Sequence, residues 1–176
     1  CDHTTIAAAI AAAADGDTIT VAAGTYVENG LTVNKSLTIR GAAPATAVGD
    51  PEDLLTAGVL ETIVQTTGMG NGPTFTITSP ASGPSPVVNF EDLAIVGNDD
   101  FDTVRVASND PVWIQSVAFD GVALTGSRTA INTVGLRPIH GLRLHASALT
   151  CTGASNATGG MLLGMADGVG DTIAVT

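Results

Sequence analysis

The chain has 176 residues, 17 of them acidic against 6 basic, for a formal net charge of −11; hydrophobic residues make up 44%, aromatics only 3%. So acidic a surface repels nucleic acid phosphates and anionic lipid heads, which argues against both as partners. The 13% charged content and a mean hydropathy of +0.35 exclude disorder driven by charge, and no apolar run approaches the roughly 20 residues of a membrane span.

The length suits one domain, residues 1–176, with a core of small β-branched residues, as expected of a thin coil of strands. Cys1 and Cys151 stand at opposite ends of the sequence. They are candidates for a disulfide in an oxidising compartment, and an N-terminal Cys can also carry a lipid, but Cys151 falls on an inward strand position where a buried thiol is the commoner outcome.

Thr4 to Ala14 is nearly all Ala, the strongest helix former, with Ile6 and Ile10 one turn apart on a single face. Thr4 or Asp2 is expected to cap this helix and Gly16 to stop it. Residues 1–16 are thus read as a lid over one end of a strand stack occupying 17–176. Asp15 to Gly41 holds three alternating runs (Ile19 and Val21; Leu31 and Val33; Leu37 and Ile39), each stopped within a few residues by Gly or Asn. Lys35 falls in a turn, as do Asp15 and Asp17 beside the helix stop. Two excursions interrupt the runs, one near 42–60 with a short helix expected from Asp50 to Gly58, the other at 80–86 (PASGPSP). Between them Glu61–Thr67 and Thr74–Thr78 are strand-like.

From Val87 a repeat is legible. VVNFEDLAIVG, PVWIQSVAFDG and RLHASALTCTG align on Gly97, Gly121 and Gly153, with apolar residues two, four, seven and nine positions before each glycine. The three-residue step within each unit breaks alternation once, as at a corner between two strands. Runs at 103–107 and 171–176 are assigned to the other walls. A returning unit of this size predicts a β-solenoid.

The opening segment AIAAAADGDTITVAAGTYVENGLTVNKSLTIRGA resembles the first coil of right-handed parallel β-helix proteins of the pectin-lyase-like superfamily, in which a capping helix leads into the first rungs. Cys1 followed by Ile6, Ala7 and Ala8 is similar to the Cys-Ser-Leu-Arg-Glu-Ala start of β-helix proteins on bacterial surfaces, without its Leu, Arg and Glu. The resemblance implies a right-handed parallel β-helix. It also implies an extracellular or cell-surface setting, with adhesive, structural, lyase or hydrolase activity all hosted by the scaffold.

Chemistry is thinly marked. Val112 to Phe119 resembles the Val-Trp-Ile-Asp-His strand of pectate lyases, but Gln115 and Ser116 replace its acid and histidine. No catalytic residue is assigned. Asp99, Asp100 and Asp102 form the densest acidic cluster, which suits Ca²⁺ or a carboxylate pair, although Asn and Asp are also the ordinary residues of a solvated turn. His3, His140 and His145 show no zinc spacing, and His145 is expected to point outward. Asn34 and Asn156 open glycosylation sequons. Thr18, Thr20, Thr32, Thr38, Thr74, Thr76 and Thr78 read as exposed strand residues.

Two functions remain open. One is a non-catalytic extracellular structural or adhesive module that associates with itself through its solenoid ends and meets surface glycans. The other is a fragment of a polysaccharide lyase or glycoside hydrolase acting on acidic glycans, with Asp99, Asp100, Asp102 and Arg105 as first candidates and Ca²⁺ as the one cofactor in view.

Overall fold

The computed structural model describes residues 2–43, 59–67, 72–98, 100–107, 112–126, 128–133, 139–151, 161–162 and 172–175. One helix, α1 (Ile6–Ala12), precedes strands that wind in repeating threes. The first coil is β1 (Asp17–Thr20), β2 (Gly24–Val27) and β3 (Leu31–Val33). The second is β4 (Leu37–Arg40), β5 (Thr62–Gln65) and β6 (Phe75–Thr78), and the third β7 (Val87–Glu91), β8 (Ala94–Val96) and β9 (Val104–Ala107). Then follow β10 (Ser116–Asp120), β11 (Ala123–Gly126) and β12 (Ile131–Asn132), then β13 (Gly141–His145), β14 (Ala148–Cys151) and β15 (Met161–Leu162), and last β16 (Thr172–Val175).

Every third strand pairs, always in parallel. Wall A runs β1-β4-β7-β10-β13-β16, wall B β2-β5-β8-β11-β14, and wall C β3-β6-β9-β12-β15. Such pairing, with each strand joined to the next through two other walls, is that of a parallel β-helix. Among the described residues no helix is long and apolar enough to cross a membrane.

Alternation supplies the core. In wall A the column Ile19–Ile39–Phe90–Phe119–Leu144 points inward at matching register positions. Phe90 stacks on Phe119 with ring centres 5.2 Å apart and meets Phe75 of wall C edge-on at 4.9 Å, all three fully buried. In wall B, Val64, Ile95 and Leu124 form the equivalent column. Inward residues of all three walls belong to one apolar cluster, and burial of each large side chain contributes about 1.5–3 kcal/mol. A second cluster lies outside wall B, where Val59 and Leu60 pack over the outward alanines 94, 123 and 148.

The expected break in alternation falls at the A-to-B corner, where Leu93 and Val122 turn inward after Asp92 and Gly121. The alignment on Gly97, Gly121 and Gly153 is corrected. Phe119 pairs with Phe90, and Leu124 with Ile95, so Gly121 matches Asp92, and the strands ending near Gly97 and Gly121 lie in different walls. Gly97 instead matches Gly126: the Thr103 hydroxyl wedges against both, 2.4 Å and 2.2 Å from where their Cβ atoms would lie. The third unit was displaced by two residues, since Leu144 pairs with Phe119 and Leu149 with Leu124. A slip of two leaves every side chain on its face, so the apolar pattern alone cannot detect it. Gly153 lies outside the described residues. Strand β9 does lie in another wall, but β16 belongs to wall A, beside β13.

The lid forms as expected but is held differently. The N-cap is Thr5, whose hydroxyl accepts from the Ala8 amide, in place of Thr4 or Asp2. Seven helical residues are too few to persist alone in water. Ile6 and Ile10 are buried in the main core, and two side chains of coil 1 bind the helix ends. The Glu28 carboxylate accepts from the Ile6 and Ala7 amides at 2.6 and 2.9 Å. Lys35 is therefore more than a turn residue: its ammonium donates to the Ile10 and Ala13 carbonyls at 3.2 and 2.7 Å. An anion at the N-terminus and a cation at the C-terminus both complement the helix dipole. Asp15 and Asp17 serve the following turn, accepting from the Ser36 and Ala14 amides. The short helix expected at 50–58 lies outside the described residues.

Candidate functional site

Because side chains alternate, wall A turns two rows outward. The row nearer the A-to-B corner is Thr20, Arg40, Glu91, Asp120 and His145, one residue per coil in exact register terms of adjacent Cα partners. Neighbouring strands lie about 4.8 Å apart, so the four residues from Arg40 to His145 span roughly 14 Å. Arg40 Nε donates to Glu91 Oε2 at 2.5 Å, and the Asp120 Oδ1 and His145 Nδ1 atoms are 2.8 Å apart. The Glu91 hydrogen bond, then its charge, raises the Arg40 pKa further. Glu91 and Asp120 are like charges directly opposite one another, an unfavourable pairing that the outer partners offset.

Asp92 follows Glu91 at the corner, with φ +53°, in a left-handed stretch shared by Gly121 at +63° and Ala146 at +43°. Asp tolerates this backbone better than most residues but still at a cost. Its Oδ1 lies over Gly121, 2.9 Å from where a Cβ would be. Burial, reinforced by the charges of Asp120 and Glu91, raises its pKa, while Arg40 opposes the shift.

The second outward row is Thr18, Thr38, Asn89, Ala118 and Arg143. Asn89 Nδ2 donates to Thr38 Oγ1 at 3.3 Å, and the small Ala118 stands between Asn89 and the exposed Arg143. At the opposite corner of wall A, Trp113 stacks on His140 with centres 4.4 Å apart and planes 21° from parallel. His140 donates its amide to Ile114, and Gln115 donates to Pro86, so consecutive coils hold the aromatic pair in place. The outer face of coils three to five thus has an aromatic pair along one corner, polar groups across the middle and carboxyls along the other corner.

The residues singled out from sequence fall elsewhere. Asp100 and Asp102 precede β9 in wall C, and Asp99 lies outside the described residues. Asn98 Oδ1 accepts from the Asp100 and Phe101 amides, which is the turn chemistry of a solvated loop. Asp102 is buried at 8% exposure: Oδ2 accepts from Asn132 at 2.7 Å, while Oδ1 has no hydrogen-bond partner. Arg128 reaches the Asp100 carbonyl at 3.4 Å, and Arg105 stands exposed on β9. Among the described residues no group of three or more His, Cys, Asp or Glu is placed to hold a metal.

Cys151 is half-buried at the end of β14 and packs against the core; Cys1 lies outside the described residues. Asn34 is exposed at the corner after β3, and Asn156 lies outside the described residues. His145 points outward, as expected. Of the threonines, Thr74 departs from expectation: it is fully buried in the B-to-C corner, bonded to Thr66 Oγ1 at 2.9 Å and to the Val96 carbonyl at 3.1 Å.

The charged row was missed because it has no motif. Its signal is positional: Ile39-Arg40, Phe90-Glu91, Phe119-Asp120 and Leu144-His145 are each an inward apolar residue followed by an outward charged one at a strand end. Only the correct register stacks them. Scans of the chain against protein-family models, curated proteins and solved structures return no match in any of the three.

Proposed function

We propose that this chain is a non-catalytic structural and adhesive β-helix module displayed outside the cell, with wall A as the face that meets an extended surface glycan. The observation that carries the reading is the pairing along the outward row: Arg40 is engaged by Glu91 and Asp120 hydrogen-bonds with His145, so the polar side chains of successive coils hold one another. The flanking Trp113–His140 pair supplies the flat apolar surface on which a sugar ring can rest, and Asn89 and Arg143 supply donors beside it. The opening coil's likeness to the pectin-lyase-like superfamily, and to bacterial surface β-helix proteins in particular, supports the same setting.

Retention on immobilised polygalacturonate and on a neutral glucan tests the proposal. Retention is expected on at least one, with a loss of roughly tenfold in affinity for Trp113→Ala. Failure to bind either polymer would remove the adhesive reading.

A second reading, a polysaccharide lyase or hydrolase fragment acting on acidic glycans, is favoured by one observation, the cluster of Asp92, its pKa raised by burial, with Asp120 and Glu91 at one corner of wall A. Polygalacturonate with Ca²⁺ tests it: unsaturated product or new reducing ends, abolished in Asp92→Asn, would replace the non-catalytic reading.

A further inference from the structure

We propose that the groove between α1 and β1 is a docking site for an extended, basic peptide that adds to wall A as one more strand. Among the described residues β1 lies at one end of wall A and pairs only with β4. Natural proteins blunt such edges with lysine, proline, a bulge or a covering element. Here β1 reads Asp-Thr-Ile-Thr, with Asp17, Thr18 and Thr20 exposed and Ile19 half-buried. Helix α1 makes its main strand contact with β3, and three of the four β1 residues stay exposed beside it.

Between helix and strand lies a groove of about 530 Å³. Its walls are the small residues Ala9 and Ala12 of the helix with the following Ala13 on one side and Ile19, Val21 and Tyr26 on the other. Alanines leave room for side chains of an incoming strand, which would place alternate residues against this apolar floor while its backbone pairs with β1.

Charge selects the occupant. Asp2 and Asp17 line the groove, no Lys or Arg does, and the chain carries −11 overall. The Asp17 carboxylate is fixed in place by the Ala14 amide at 2.7 Å. A strand alternating apolar residues with Lys or Arg matches both the floor and the rim. A second copy of this chain would instead bring one strongly acidic surface against another.

The probe is a fluorescein-labelled synthetic octapeptide alternating valine and lysine, titrated with the full chain and read by anisotropy. Saturable binding is expected that falls with added salt. It should weaken at least tenfold when glutamate replaces lysine, and by a similar factor when alternate peptide amides are N-methylated, which blocks strand pairing. Ala12→Trp fills the groove and is expected to abolish binding. Asp2→Lys, outside every helix and strand, is expected to weaken it severalfold with an unchanged melting temperature. Equal binding of the N-methylated peptide, or of the lysine peptide to Asp2→Lys, would overturn the proposal in favour of adsorption to an acidic surface. Concentration-dependent self-association of the unliganded chain that Ala12→Trp abolishes would overturn it in favour of a second copy as occupant.

Discussion

Lys35→Met keeps most of the aliphatic stem of Lys35 and removes the ammonium that holds two carbonyls at the end of α1. Hydrogen bonds from a charged donor contribute about 1.5–3 kcal/mol, and the favourable position at the helix C-terminus about 0.3–1 kcal/mol. Releasing a lysine side chain recovers up to about 2 kcal/mol of entropy. The net cost to α1 is therefore roughly 1–2 kcal/mol, felt where the helix opens locally and less in the coils beneath it. Hydrogen exchange at the Ala9 and Ala13 amides, which bond within the helix to Thr5 and Ala9, reads that opening directly. Protection there should fall roughly 5- to 30-fold, with the β7 and β10 amides unchanged. Lys35 is the sole lysine in the sequence, so acetylation offers the same test without mutagenesis. Protection altered by less than about twofold would refute the assignment of Lys35 as a latch.

Phe90→Ala removes the central ring of the Phe75–Phe90–Phe119 stack and should cost about 3–5 kcal/mol in denaturant unfolding, against less than about 1.5 kcal/mol for a conservative Ile39→Val in the same column. Gly97→Ala drives a methyl against Thr103 and is expected to cost about 1–3 kcal/mol by urea melt. For Asp92 the sign follows from its raised pKa. The native state binds the proton more tightly than the unfolded chain, so stability falls as pH rises from the ordinary aspartate value of 3.8 through the higher native pKa, and the penalty persists above it. Asp92→Asn should remove that acid-range slope and stabilise the chain at neutral pH; an unchanged pH profile of the melting temperature would count against the burial of this carboxyl.

The strands themselves and the lid were legible because both rest on local patterns. Alternation in Leu37–Arg40 or Val87–Glu91 follows from one buried face, and Ile6 and Ile10 one turn apart follow from one covered stripe. Register was harder. Leu93, Ile95, Val117 and Phe119 are all inward and all flanked by outward residues, so the sequence offers no mark of which strand stacks on which. The stacked phenylalanines and the Thr103 wedge between Gly97 and Gly126 distinguish them only once three coils are superposed. The outward row depended on that register. Its residues come from five coils, and Arg40 and Glu91 are 51 positions apart. The dense acidic run at Asp99, Asp100 and Asp102 drew attention because it is contiguous, yet contiguity in a solenoid usually means a corner, whereas a shared face is assembled from distant segments.

Thr38 and Asn89 touch across that same gap of 51 residues, while Asp120 and His145 touch across 25. The rungs therefore keep a constant pitch whatever length of chain leaves at a corner and returns. For protein engineering this makes the molecule a ruler with replaceable markings. A foreign loop grafted between wall A and wall B of the second coil would be displayed at a height known to within one strand spacing, about 4.8 Å, without disturbing the graduations above and below.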